Sequence, residues 1–272
     1  MTVLRRPFER ARRLARTLLW EYGVDEPSKV DPFVIVGRHK IKVTYGRLDG
    51  ASARIFRNGD RAIIRVSDQI VQLGRLRFTI AHEVAHYLLG HRLPTELIVG
   101  PDAPPPFSTH QERECDVFAT EYLLHEPWVA PLCARVPITF HAVHAIEQTF
   151  RTSVVASAVQ FVELADTAAA VVYSEHGRVV WARRSRKFPG RIPSQLRLGA
   201  QTAAAEHHER GILDGSPRPV PASSWFGTQS HQQIDGSLIE ESEHVPAPGW
   251  GGVLSLLGTN DRQEDDLQRG KQ

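Results

Sequence analysis

At 272 residues, with 41% hydrophobic and 24% charged residues, the chain has an ordinary globular composition and enough length for two domains. A formal net charge of +2 lacks the basic excess of a dedicated nucleic-acid binder, which argues against direct DNA binding. Cys115 and Cys133 make no disulfide framework, Arg5-Arg6 is followed by no apolar signal core, and no apolar run is long enough to span a bilayer; a cytoplasmic protein without membrane association is expected.

In chain order, Phe8, Ala11, Leu14, Ala15, Leu18, Leu19 and Tyr22 recur at helical steps opposite Arg12, Arg13 and Arg16, predicting an amphipathic helix ended by Gly23. Strand-like runs follow at Phe33–Val36, Lys40–Tyr45, Ala53–Phe56 and Ala62–Val66, with turn residues at Gly46–Gly50 and Asn58-Gly59-Asp60. The economical reading is a small antiparallel sheet. With Ala62–Val66 at its edge, that sheet could hold a substrate peptide as an added strand.

Val71–Leu89 reads as a helix stopped by Gly90, and inside it lies His82-Glu83-x-x-His86. Helix positions i and i+4 stack, so both imidazoles can reach one metal ion, and Glu83 falls beside the ion's open position as a general base. A chain of this composition would contain the five-residue pattern by chance about 0.04 times. A third histidine six residues beyond the second, with glycine midway, defines one long zinc-peptidase pattern. Leu89 and Arg92 occupy those positions, so the pattern fails.

The polar stretch Arg92–Thr109, with its prolines at 101 and 104–106, is irregular by composition. Gln111–His125 reads as the next helix. Glu112 is its best candidate for a third ligand, because Asp116 on the same face can accept a hydrogen bond from a ligand histidine. Glu114 points off that face and Glu121 has no comparable partner. His91, His110 and His125 read as surface or satisfied histidines, and Cys115 as a small packed thiol. Phe140–Glu163 is helical with a break near Thr152-Ser153; Arg151 is its only basic residue, too little for phosphate contacts. Beyond Asp166, Glu175-His176-Gly177 signals a hairpin between Ala168–Tyr173 and Val179–Ala182. Gln195–Arg210 could be helical, and Ser237–Glu243 and Trp250–Leu257 look like strands. The basic run Arg183-Arg184-Ser185-Arg186-Lys187 reads as solvated charge.

Arg77-Phe78-Thr79-Ile80-Ala81-His82-Glu83-Val84-Ala85-His86, followed by Glu112 through Leu124 with Phe118-Ala119 and Glu121, resembles the ImmA/IrrE family of metallo-endopeptidases. Cys115 and Asp116 stand where that family usually has Ala-Asn, and His125 where Pro is usual. Glu240-Glu241-Ser242 and Gly251–Leu257 look like the terminal segment of its longer, IrrE-like members. The resemblance implies an α+β fold: a zincin-like metallopeptidase domain over 1–130, a helix-turn-helix-like helical region over 131–165, a GAF-like α/β sensor-type domain over 166–260, and a charged tail over 261–272. It implies His82, His86 and Glu112 as ligands of Zn²⁺, or alternatively Mn²⁺, with Glu83 catalytic and Asp116 supporting the ligand shell. It also implies cleavage in trans of a helix-turn-helix transcriptional repressor, derepressing DNA-damage or mobile-element genes, and a small-molecule or protein ligand for the GAF-like region. The rival reading is a metal-containing regulator that sequesters the repressor without cutting it. An oxyanion partner is expected from among Tyr122, His141, His144 and Arg113.

Overall fold

The computed structural model describes residues 8–48, 50–96, 107–134, 136–226, 236–246 and 251–259. Arg5-Arg6, the prolines at 101 and 104–106, Trp250 and the tail at 261–272 lie outside the described residues. The fold is mixed α+β and divides into two compact units, residues 1–129 with 146–156, and residues 130–145 with 157–272. No helix among the described residues is long and apolar enough to cross a membrane.

In the first unit, α1 (Glu9–Glu21) buries Ala11, Ala15, Leu18 and Leu19, as its apolar spacing dictates. The expected strand at Phe33–Val36 is instead part of α2 (Pro32–Arg38). Asp31 caps that helix by accepting from the Phe33 N–H, and Pro32 fits the first helical position; this start signal overrides the β-forming run. β1 (Ile41–Gly46), β2 (Ala53–Asn58) and β3 (Arg61–Ser67) form a sheet in the order β1-β3-β2. β2 and β3 make the antiparallel hairpin expected around Gly59, but β1 runs parallel to β3, so the sheet is mixed rather than antiparallel. Ala62–Val66 is consequently the central strand and not the edge, with Ala62, Ile64 and Val66 packed into the core. The alternation of side chains encodes faces, not strand order or direction.

α3 (Leu73–Leu88) ends in a left-handed Gly90 at φ 71. The Gly90 N–H donates to Tyr87 O and the His91 N–H to His86 O, the paired bonds of a Schellman motif. α4 (Thr109–Leu123) opens with a capping box between Ser108 and Gln111. α5 (Glu126–Cys133) follows, and α6 (Phe140–Phe150) and α7 (Val154–Leu164) are separated at Arg151–Ser153, where the break was expected.

The second unit holds a five-stranded sheet in which every pair is antiparallel. It is built from β4 (Ala169–Glu175), β5 (Arg178–Arg184), β6 (Arg218–Pro221), β7 (Ser237–Val245) and β8 (Gly252–Thr259), ordered β5-β4-β8-β7-β6. His176 and Gly177, both at positive φ, make the two-residue hairpin turn of a primed type. The expected Gln195–Arg210 helix shrinks to α8 (Ala203–Arg210), capped by Thr202, because Gln195 sits at φ 64 and cannot continue a helix. α9 is the short turn Ser223–Phe226. Leu238 and Glu240 of β7 face α8, whereas Glu241 accepts from the Phe140 N–H at the start of α6, so helices cover both faces.

Candidate metal centre

α3 and α4 pack against each other and bring three ligand-type atoms together. His82 Nε2 lies 3.0 Å from Glu112 Oε2, the two histidine Nε2 atoms are 3.3 Å apart, and His86 Nε2 is 3.9 Å from the same carboxylate oxygen. A tetrahedral ion with bonds of roughly 2.0–2.1 Å would separate its ligands by about 3.3 Å, so the set fits one small cation. Asp116 Oδ1 accepts from His82 Nδ1 at 2.9 Å, leaving Nε2 free to face the centre. Burial alone would favour a neutral His82, but its hydrogen bonds to Asp116 and Glu112 prevail and lift its pKa to about 10. Burial likewise opposes ionisation of Glu112, yet His82 and His86 hold it down to about 2.

Glu83 is nearly fully buried, and that burial raises its pKa to about 7; the charge of Glu112 adds to the rise, against His82, Arg54 and a main-chain hydrogen bond from Ile55. A carboxyl poised near neutrality is suited to taking and returning a proton. It opens into a cleft of about 460 Å³ whose walls include Ala53, Arg54, Arg75, Phe78, Thr79 and Phe107. β2 is the sheet edge along this cleft, and Arg57 at its far end already donates its N–H to Pro94 O.

Residues 36–156 match the family model described as the IrrE N-terminal-like domain, a peptidase family. Over those residues the chain is similar to the IrrE N-terminal-like domain. The whole chain also resembles a solved structure described as a Mycobacterium tuberculosis transcriptional regulator, with a TM-score of 0.55 at 12% identity over 92% of this chain and 76% of that one. At that identity the likeness concerns the fold. No curated protein matches the sequence.

Within the IrrE-like domain, the residues flanking the motif have structural work. Arg77 is buried and its guanidinium donates to Phe150 O at 2.7 Å, to Arg151 O at 2.8 Å and to Val30 O. Glu121 is also buried, paired with Arg16 of α1 at 2.9 Å and with His125, four residues on, at 2.8 Å. His91 is no surface residue: its Nδ1 meets His86 Nδ1 at 2.9 Å and its Nε2 meets Glu114 at 3.2 Å. Gly90 is the sequence signal that could have found this contact. His86, His91 and Cys115 also cluster as a second potential ligand set, and burial pushes the Cys115 thiol above its usual range. None of the four expected oxyanion partners lines the cleft. Tyr122 donates to Asp31 O, Arg113 lies over the Phe8 ring, His144 pairs with Glu243 in the second unit, and His141 is an exposed residue of that unit. Outside the ligand set and Glu83, the polar side chains that line it are Ser52, Arg54, Arg75 and Thr79.

Proposed function

We propose that the chain is a metal-dependent endopeptidase in which His82, His86 and Glu112 hold Zn²⁺, or Mn²⁺ as an alternative. The observation that carries this reading is the convergence of the three ligand atoms, within 3.0–3.9 Å of one another, beside a buried carboxyl poised near neutrality. When bound, such an ion supplies a Lewis acid for the scissile carbonyl and acidifies a water. Glu83 takes the proton of the attacking water and returns it to the leaving amine. Ile55 and the surrounding apolar wall hold that carboxyl in place, and Asp116 orients His82. A substrate segment laid along β2 would pair with the free part of the edge strand, whose own Arg54 lines the cleft.

The substrate we assign is a separate helix-turn-helix repressor, cut to derepress stress or mobile-element genes; the basis is the motif resemblance to the ImmA/IrrE family. Glu83→Gln should retain the metal and lose cleavage of that repressor by at least about a hundredfold. Full cleavage by the variant would sink the mechanism, and undiminished derepression without cleavage would favour sequestration. We assign 131–165 as the helical region and 166–260 as a GAF-like sensor, supported by the helix-covered antiparallel sheet. A thermal-shift screen of the full chain against nucleotides, amino acids and organic acids is expected to find a stabilising ligand. Silence across that panel would remove the small-molecule reading and leave a protein ligand.

A further inference from the structure

We propose that His91 and Glu114 form a positioning pair that fixes the tautomer and ring orientation of His86, giving the centre a carboxylate–histidine–histidine chain. The proposal rests on the metal centre assigned above. Its geometry begins with the turn at Gly90: the Schellman bonds bring His91 back over the last turn of α3, so that its ring lies 5.0 Å from that of His86 at an angle of 65°. On the other side of His91, α4 contributes Glu114, whose Oε2 lies 3.2 Å from His91 Nε2. All three side chains are shielded from water, at 1% exposure for His86, 6% for His91 and 10% for Glu114.

Hydrogen-bond polarity then runs in one direction. An ionised carboxylate only accepts, so His91 Nε2 carries the hydrogen that faces Glu114. In a neutral imidazole the other nitrogen must then be an acceptor, and His91 Nδ1 receives a hydrogen bond from His86 Nδ1 at 2.9 Å. With its proton committed to Nδ1, His86 presents the lone pair of Nε2, the atom that faces His82 and Glu112. The Cys115 thiol lies farther from His91 Nδ1, at 3.8 Å, so the His86 N–H is the better placed donor to that single lone pair. Phe107 closes the last freedom by stacking on the His86 ring at 3.6 Å between centroids. His82 receives the same service directly from Asp116. The two ligand histidines are thus oriented by different devices, one by an exposed carboxylate and one by a buried histidine backed by a buried glutamate.

The test uses the full chain and cobalt(II) as the probe, read by its visible absorption and by chelator competition. His91→Phe removes the acceptor, Glu114→Gln removes the charge that orders the chain, and His91→Gln restores a side chain that can accept from His86 and donate to Glu114. We expect His91→Phe to weaken cobalt binding about 10–100-fold with an altered spectrum, Glu114→Gln to weaken it less, and His91→Gln to recover most of the loss. Should His91→Phe fail to fold, the comparison of Glu114→Gln with the native chain carries the same decision. Native affinity and spectrum in the folded variants would overturn the pair while leaving the centre intact. Absence of cobalt binding by the native chain would overturn the centre itself, and the pair with it. A thiolate-to-cobalt charge-transfer band that disappears in Cys115→Ser would make His91 and Cys115 ligands and overturn the positioning role.

Discussion

Glu83 and Glu121 are both buried carboxylates of the first unit, and their surroundings drive them in opposite directions. At Glu83 burial prevails and the acid form is favoured up to near neutrality. Burial is also the largest single influence on Glu121, but the hydrogen bonds from His125 and Arg16 outweigh it and hold its pKa below 4.5. A carboxylate depressed in the folded chain contributes stability that is fully present above 4.5 and disappears as pH falls through its folded value. Glu121→Gln should therefore cost about 2 kcal/mol at pH 7, a figure discounted for the part-exposed Arg16, and markedly less at pH 3. Urea unfolding at the two pH values checks this, and an equal loss at both would refute the ion-pair account. At this scale fixed helical spacing accounts for the approach of His82 and His86, while the approach of Glu112 from α4 is legible through the family resemblance. The pairs Glu121–Arg16 and His91–Glu114 are not legible, because each joins different parts of the chain, and no periodicity within one helix reports a contact across packed elements.

Elements were legible where local signals agreed. α1, α3, α4 and the Glu175–Arg178 hairpin carry apolar spacing together with a cap or a left-handed turn residue. The short apolar run Phe33–Val36 has two meanings and folds as helix, and the proline-containing edge strand Arg218–Pro221 carries no strand signal in the sequence. On the outer strand β5, Arg178, Arg183 and Arg184 are exposed, which fits a charge-blunted sheet edge better than a binding patch. The start of α3 contains a closer constraint. A Cβ on Gly74 would lie 2.3 Å from the carbonyl of Thr152, backbone that cannot swing aside. Glycine-to-alanine in a helix ordinarily gains up to about 1 kcal/mol, but here Gly74→Ala should instead destabilise by about 1–3 kcal/mol. Thermal denaturation reads the sign directly, and a stabilised variant would show that the two segments can part without loss.

On the scale of the whole molecule, each unit has its own buried core, and the chain passes through the first unit twice. The sequence indicated two bodies from length and a change of texture near residue 166, but it could not indicate this return. The return is held by Arg77, whose guanidinium binds the carbonyls of Phe150 and Arg151, and by the fit of Gly74 against Thr152. The family match also runs to residue 156. Contiguity is thus a poor guide to what can be cut out and studied. A fragment of residues 8–130 would strand a desolvated guanidinium with two acceptors removed, whereas 8–156 keeps them. The longer fragment should unfold cooperatively and the shorter should aggregate or melt at least about 10 °C lower, as read by circular dichroism. Equal melting would mean that the first unit is portable without its returning segment, and that Arg77 is a decoration rather than a clasp.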